Sequence, residues 1–131
     1  MMTTLRYCAF LLLAASLTSC HRNGTITYRM KNIASDSIMV ICGNQPLTRY
    51  DTFWIGYNQT TTLLVAGKGK DHISNYRVTS PSLTDFSSIQ VLKLHSFMPP
   101  GAGFMQAAYW TYEEKGRSAA WYTATVTDAS F

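Results

Sequence analysis

Short segments of alternating or continuous apolar residues recur along the chain, and turn-forming residues separate them. In residues 25–32, TITYRMKN, the apolar Ile26, Tyr28 and Met30 alternate with polar residues, which predicts a β-strand with one side toward a core and one toward water. Residues 37–42, SIMVIC, are almost continuously apolar and predict a central strand. Five more segments have strand patterns, the first of them broken at its middle: 52–66, 75–80, 89–96, 105–114 and 118–128.

Together these segments predict seven or eight strands and no helix. Stretches rich in glycine, proline and small polar residues predict loops at 43–48, 67–71, 81–85 and 99–103. Many short strands separated by turn residues are typical of a β-sandwich or a β-barrel. We therefore expect an all-β chain, with a single antiparallel β-sandwich domain over residues 25–131.

The last two predicted strands form a hairpin whose register decides where its aromatic side chains lie. If Lys115 and Gly116 make a two-residue loop, Trp110 lies opposite Trp121. Trp110, Tyr112 and Trp121 would then lie on the outer surface, where large apolar patches often mark binding sites. Burial of these three rings by the rest of the fold is the alternative. The other side of the hairpin is more apolar, and we expect it in the core: Met105, Ala107, Tyr109, Ala120, Tyr122, Ala124 and Val126.

The first nineteen residues have the pattern of an export signal. Arg6 precedes an apolar run over 7–17 that is shorter than the ~20 residues needed for a membrane-spanning helix. The sequence Leu17-Thr18-Ser19-Cys20 resembles the bacterial lipobox, in which the cysteine thiol receives diacylglycerol before the signal peptide is removed. We therefore expect a signal peptide at 1–19 and a lipid-modified Cys20 that begins a short tether over 20–24.

The residues after Cys20 indicate which membrane the lipid enters. Lipoproteins that stay in the inner membrane often carry an aspartate here, and surface-exported ones in Bacteroidota-like systems carry an acidic cluster. This chain has His21 and Arg22 instead. The resemblance therefore implies an outer-membrane lipoprotein that faces the periplasm, with the covalent lipid on Cys20 and no other cofactor.

Composition limits the size, charge and redox chemistry of the mature chain. Without residues 1–19 it has 112 residues, enough for one domain, and ten Lys and Arg against seven Asp and Glu. This charge is too small and too dispersed to suggest nucleic-acid binding. Cys8 leaves with the signal and Cys20 carries lipid, so Cys42 has no partner for an intrachain disulfide. We expect Cys42 to be buried as a small apolar residue.

The sequence contains no recognisable catalytic or metal-binding motif. His21, His72 and His95 lie far apart, and none belongs to an HExxH or Cys/His spacing that would hold a metal. No G-x-S-x-G motif is present, and the carboxylates are scattered. We therefore expect neither an enzyme nor a metal site.

The lipobox and the strand pattern together resemble small Bacteroidota-like outer-membrane lipoproteins with an immunoglobulin-like or transthyretin-like β-sandwich. The Cys…Trp…Cys core of antibody domains is absent. The resemblance implies a structural or assembly subunit of a cell-envelope complex, of the kind found in secretion machines such as type VI secretion. We expect it to bind another envelope protein through Trp110, Tyr112 and Trp121.

Two other functions stay open at this point. The first is a carbohydrate-binding accessory lipoprotein, in which aromatic rings close together in the sequence stack on sugars; its candidate residues are Tyr50, Asp51, Trp54 and Tyr57. The second is an envelope enzyme or inhibitor without a visible motif.

Overall fold

The computed structural model describes residues 23–45, 49–95 and 103–131. The predicted signal peptide and Cys20 lie outside the described residues. Three short 3-10 turns accompany the strands, at Ile73–Tyr76, Ala107–Tyr109 and Asp128–Ser130. The described residues form seven strands: β1 (Thr25–Asn32), β2 (Ile38–Asn44), β3 (Arg49–Ile55), β4 (Gln59–Gly67), β5 (Phe86–Lys93), β6 (Trp110–Glu114) and β7 (Ala119–Val126).

The strands form two sheets, one of four strands in the order β4-β1-β7-β6 and one of three strands in the order β3-β2-β5. The prediction of an all-β chain is confirmed. One neighbouring pair, β1 and β7, is parallel, and the other pairs are antiparallel. In the immunoglobulin constant-domain order the first two strands are neighbours in one sheet. Here they lie in different sheets, so an immunoglobulin-like order is not confirmed, and the transthyretin-like alternative stays a prediction.

β1 lies inside the four-stranded sheet, and its alternating sequence explains which side faces the core. Ile26, Tyr28 and Met30 are fully buried, as predicted, while the residues between them point outward. The Tyr28 ring meets the edge of the Phe86 ring from β5, with ring centroids 5.0 Å apart. The two sheets therefore share one core, whose other buried members include Ile38, Val40, Cys42, Ile55, Val91, Ala120, Tyr122, Ala124 and Val126.

A buried asparagine joins the two sheets at the end of β1. The Asn32 side chain is fully buried, and its amide nitrogen donates to the backbone carbonyls of Asp36 (2.8 Å) and Ile55 (3.0 Å). Its oxygen accepts from the backbone N–H of Ala34 (2.9 Å). Buried polar groups are usually hydrogen-bonded, and here the bond to Ile55 fixes the end of β3 against β1. The other two bonds hold the segment that follows β1.

Two carboxylates hold the chain after β1 at the same end of the sandwich. Asp36 contacts the His95 ring and accepts from the His95 backbone N–H (3.0 Å); burial by itself raises the pKa of Asp36, but the hydrogen bonds lower it below its ordinary value. Asp128 accepts from the backbone N–H of Ser35 (3.0 Å) and from the Lys93 ammonium (3.0 Å), and these bonds lower its pKa. Both carboxylates are therefore held ionised.

Two segments that were predicted as strands are not strands. Within 75–80 the chain leaves a 3-10 turn, and the backbone N–H of Val78 donates to the Tyr122 hydroxyl (2.7 Å) instead of to a neighbouring strand. Residues 105–109 end in another 3-10 turn, where the Ala107 N–H donates to the carbonyl of Pro81 (2.8 Å). In the described part of the chain neither segment has a neighbouring strand. The second segment makes a single antiparallel bridge between Gln106 and Ser82, and side chains and loops satisfy the other backbone groups named here.

Candidate functional site

The closing hairpin has a different register from the predicted one. Trp110 lies opposite Ala124, and Tyr112 opposite Tyr122, because the loop after Glu114 is longer than two residues. The Lys115 N–H donates to the carbonyl of Ala119 (2.8 Å), and the loop turns at Gly116, whose φ of +115° few other residues adopt. The register differs by three residues, and an odd shift exchanges the two sides of one strand relative to its partner.

This shift places Trp110 and Tyr112 on the core side, so the prediction that they form an outer partner surface is wrong. Trp110 is only 7% exposed, and its indole N–H donates to the carbonyl of Phe104 (2.7 Å). Its ring stands edge-on to Tyr28 at 5.8 Å between centroids, and Tyr112 packs against Tyr122 at 5.0 Å. For β7 the predicted core residues Ala120, Tyr122, Ala124 and Val126 are confirmed. The three predicted core residues before β6 differ: Met105 and Ala107 are partly buried against the core, and the prediction for Tyr109 is wrong, since it is 44% exposed.

Trp121 is the one member of the predicted aromatic surface that points outward. The Arg29 guanidinium carbon lies 3.8 Å from the centre of a Trp121 ring, and the Lys115 ammonium lies 4.2 Å from it. Arg29 also donates to the Thr123 hydroxyl (3.3 Å). Two cations therefore lie against the indole on the outer side of the four-stranded sheet, so this ring is not an open apolar contact.

The structure brings together two of the residues named for the carbohydrate-binding alternative. Tyr50 and Trp54 lie on the same, outer side of β3 and are 67% and 63% exposed. Tyr57 is equally exposed but belongs to the turn that follows β3. Asp51 points to the other side of the strand, where its carboxylate binds Arg49 (3.2 Å) and Asn44 (3.0 Å). The predicted set is therefore a pair of exposed rings without the carboxylate.

Tyr50 and Trp54 belong to a larger apolar surface that spans the three-stranded sheet. Met39 of β2 lies between Trp54 of β3 and Leu92 of β5, and Ile41 occupies the next outward position of β2. Met39, Ile41 and Leu92 are each half-buried. We call this outer surface the apolar face, and its members are Met39, Ile41, Gly43, Tyr50, Thr52, Trp54, Ser88, Gln90 and Leu92.

The outer side of the four-stranded sheet has a different composition. Threonine is its commonest residue, and Val65 is its one exposed large aliphatic side chain among the described residues. Its charged residues are Arg29, Lys31 and Glu113. A soluble domain usually exposes single apolar residues, whereas contiguous apolar patches mark contact sites. The apolar face is therefore the strongest candidate for a functional surface in the described part of the chain.

The sequence of β2 itself indicates this surface. The run at 37–42 is apolar at both odd and even positions. In a two-layer sandwich each strand has only one side against the core, so a continuously apolar strand must present its other side elsewhere. In β2, Val40 and Cys42 are buried, and Met39 and Ile41 are the outward residues.

A partly buried polar network lies beside a cleft at the edge of the sandwich. The Asp85 carboxylate accepts from the Tyr28 hydroxyl (2.6 Å) and from the Lys68 ammonium (2.7 and 2.9 Å). The pKa of Tyr28 is raised far above its ordinary value; burial is the larger cause, and the hydrogen bond to Asp85 is the second. The cleft, about 270 Å³, is lined by Lys68, Asp85 and residues 75–80 among others. Because both carboxylate oxygens are already bonded, Asp85 serves to position this part of the core.

The prediction that Cys42 is buried is confirmed, and it lies opposite Asp51 of β3. Burial, and then the nearby carboxylate, raise the pKa of its thiol to about 12. Within 23–45, 49–95 and 103–131, the structure contains no cluster of three metal-binding side chains. No helix in these ranges is long and apolar enough to cross a membrane.

Comparisons with known protein families, with curated proteins and with solved structures found no match to this chain.

Proposed function

We propose that this chain is a lipid-anchored envelope protein that acts as a structural or assembly subunit. In this proposal, acylated Cys20 holds the domain at the periplasmic surface of the outer membrane. The apolar face binds another envelope protein, as a subunit of a secretion machine does. Trp110 and Tyr112 no longer belong to the proposed partner surface, since Trp110 is buried in the core and Tyr112 is partly buried against it.

The observation that carries the proposal is the contrast between the two outer sides of the sandwich. One side is threonine-rich and charged, and the other presents two exposed rings next to a half-buried row of Met39 and Leu92. Protein interfaces are enriched in tryptophan, tyrosine and methionine, and their binding energy is concentrated in a few such residues. Trp54 is the natural anchor because it is the largest side chain on this face and is 63% exposed.

The test is copurification from detergent-solubilised envelopes with Trp54→Ser and with a matched control on the other side, Val65→Ser. Both side chains are more than half exposed, so both substitutions leave the fold intact. We expect Trp54→Ser to weaken partner recovery at least tenfold, the loss typical of a hot-spot residue. Val65→Ser has no effect in this proposal. Equal recovery of the partner with the wild type, Trp54→Ser and Val65→Ser would refute the proposal.

Carbohydrate binding is the second candidate, because Tyr50 and Trp54 remain exposed on one side of β3. Their positions are four residues apart, or ~13 Å along a strand, a spacing at which two rings can contact separate sugars of a chain. Tyr50→Ala and Met39→Gln separate the two functions. Stacking on sugars depends on the Tyr50 ring, whereas a protein interface also uses the Met39 row. Loss of glycan binding with Tyr50→Ala alone would favour the carbohydrate function.

A further inference from the structure

The described chain begins inside the four-stranded sheet, close to the proposed lipid anchor. The Gly24 N–H donates to the carbonyl of Gly69 (2.9 Å), and its own carbonyl accepts from the Lys68 N–H (2.7 Å). Gly24 is therefore fixed as the residue that precedes β1. Gly24 is the fourth residue after Cys20, so the tether between them spans at most ~14 Å.

A tether of this length restricts which side of the sandwich can approach the lipid. If the four-stranded sheet lies against the headgroups, Gly24 is within easy reach, because β1 is an inner strand of that sheet. If the apolar face lies there instead, Gly24 is farther away by the ~10 Å between two packed sheets, in addition to the outer layer of side chains. That arrangement would need a fully extended tether.

Charge separates the remaining two orientations, in which the domain lies on the four-stranded sheet or stands on its loops. The outer side of the sheet carries Arg29 and Lys31, and Lys115 lies over it against Trp121. The carboxylate of this side, Glu113, forms an ion pair with Lys115. The loops beside Gly24 are closer to balance, because they carry Lys68, Lys70, Arg77 and Arg117 against Asp71, Glu114 and the Asp85 that binds Lys68. Their net charge is +1, against +2 for the outer side of the sheet. Anionic headgroups therefore favour the sheet.

The contact between Arg29 and Trp121 holds a guanidinium, a group that binds phosphate well, on this surface. The guanidinium carbon lies 3.8 Å from the centre of a Trp121 ring, and one of its nitrogens donates to the Thr123 hydroxyl. A guanidinium has five N–H donors, so it can bind a phosphate oxygen while it keeps these contacts. Lys31 lies two residues along β1 on the same side of the sheet.

We propose that the outer side of the four-stranded sheet lies on anionic phospholipid headgroups, with Arg29, Lys31 and Lys115 toward the lipid. This inference rests on the proposed lipid anchor and deepens it. The apolar face then points away from the membrane, toward the proposed protein partner.

The test is fluorescence quenching of the full acylated protein in vesicles that contain a nitroxide on the headgroup. Single cysteines at Thr125 and Gln90 carry the fluorophore, and buried Cys42 stays unlabelled. Thr125 lies opposite Lys31 on the outer side of the four-stranded sheet, at the end away from Gly24, and Gln90 lies on the apolar face. With phosphatidylglycerol present at low salt, we expect quenching at Thr125 and little at Gln90.

A matched pair of double variants tests the charges themselves. Each cation near an anionic surface changes the equilibrium roughly fivefold, so Arg29→Gln with Lys31→Gln should lower the ratio of bound to detached domain about 25-fold. Lys70→Gln with Arg117→Gln removes the same charge from the loops and should leave quenching at Thr125 unchanged. Salt at 0.5 M should lower the ratio of bound to detached domain as the Arg29→Gln, Lys31→Gln variant does, since it screens surface charges.

The outcomes distinguish this inference from the anchor on which it rests. If the wild-type protein fails to float with vesicles, the lipid anchor is refuted. If it floats but the Thr125 label is no more quenched than the Gln90 label, the orientation is refuted. Quenching at Thr125 that does not depend on phosphatidylglycerol would refute the role of the cations.

Discussion

Removal of the Asp85 carboxylate tests the partly buried network that joins the two sheets. Tyr28 is fully buried, and Asp85 is the one acceptor that its hydroxyl contacts among the described residues. Asp85→Ala therefore leaves a buried donor without a partner, which costs ~1–3 kcal/mol. The loss of the ion pair adds no more than ~1 kcal/mol, because Lys68 is partly exposed and can turn toward water. We expect a loss of about 1–4 kcal/mol in the free energy of unfolding.

The assay is urea unfolding in detergent micelles, followed by the emission of the tryptophans. Trp110 reports on the core because its ring lies 5.8 Å from Tyr28. Tyr28→Phe removes the hydroxyl alone and should cost ~1.5–3 kcal/mol, as for a hydrogen bond to a charged acceptor. In an Asp85→Ala background the same substitution should cost nothing or stabilise the fold. If Tyr28→Phe costs the same in both backgrounds, the hydroxyl does not depend on the carboxylate and this reasoning is refuted.

Three further predictions follow from burial and charge. Cys42, with a pKa of about 12, should react with maleimide only after unfolding, which labelling in increasing urea measures. Because the pKa values of Asp36 and Asp128 are lowered in the folded state, their contribution to stability is present above the unfolded pKa near 4 and lost as pH falls through the folded pKa. The urea midpoints at pH 3 and pH 6 should therefore differ less in the Asp36→Asn variant than in the wild-type protein. Trp110→Ala should cost ~3–5 kcal/mol in unfolding free energy and Trp54→Ala less than ~1 kcal/mol.

The sequence predicted the strands that alternate most regularly. β1 has its predicted bounds, since each of its core residues is followed by a polar one over the whole strand. The apolar run of β2 and the break after Ile55 were equally clear. In these segments the local pattern and the final burial agree, so little long-range information was needed.

The register of the closing hairpin could not be predicted from the local sequence. The sequence did not show whether Trp110, Tyr112 and Trp121 are core or surface residues, because both sides of this hairpin contain aromatic rings. What decides the register is the longer loop at Gly116 and the packing of Trp110 against Tyr28, which is distant in the sequence. A one-residue error in such a register exchanges the two sides of a strand.

The apolar face was missed for a related reason. Tyr50 and Trp54 were recognised as candidates, but Met39 and Leu92 are far from them in the sequence and become neighbours only through the order β3-β2-β5. The sequence also grouped Asp51 with the two rings, although alternation along a strand places it on the opposite side.

The central claim, that an anchored domain binds a protein partner through its apolar face, is tested most directly by site-specific photo-crosslinking in intact envelopes. A photoreactive residue at Leu92 lies on the apolar face, and one at Thr62 lies on the outer side of the four-stranded sheet. We expect the Leu92 probe to form one covalent adduct with the protein that copurifies with the wild type, and the Thr62 probe to form none. An adduct from Thr62 alone, or no adduct from a folded and membrane-bound Leu92 variant, would contradict the account.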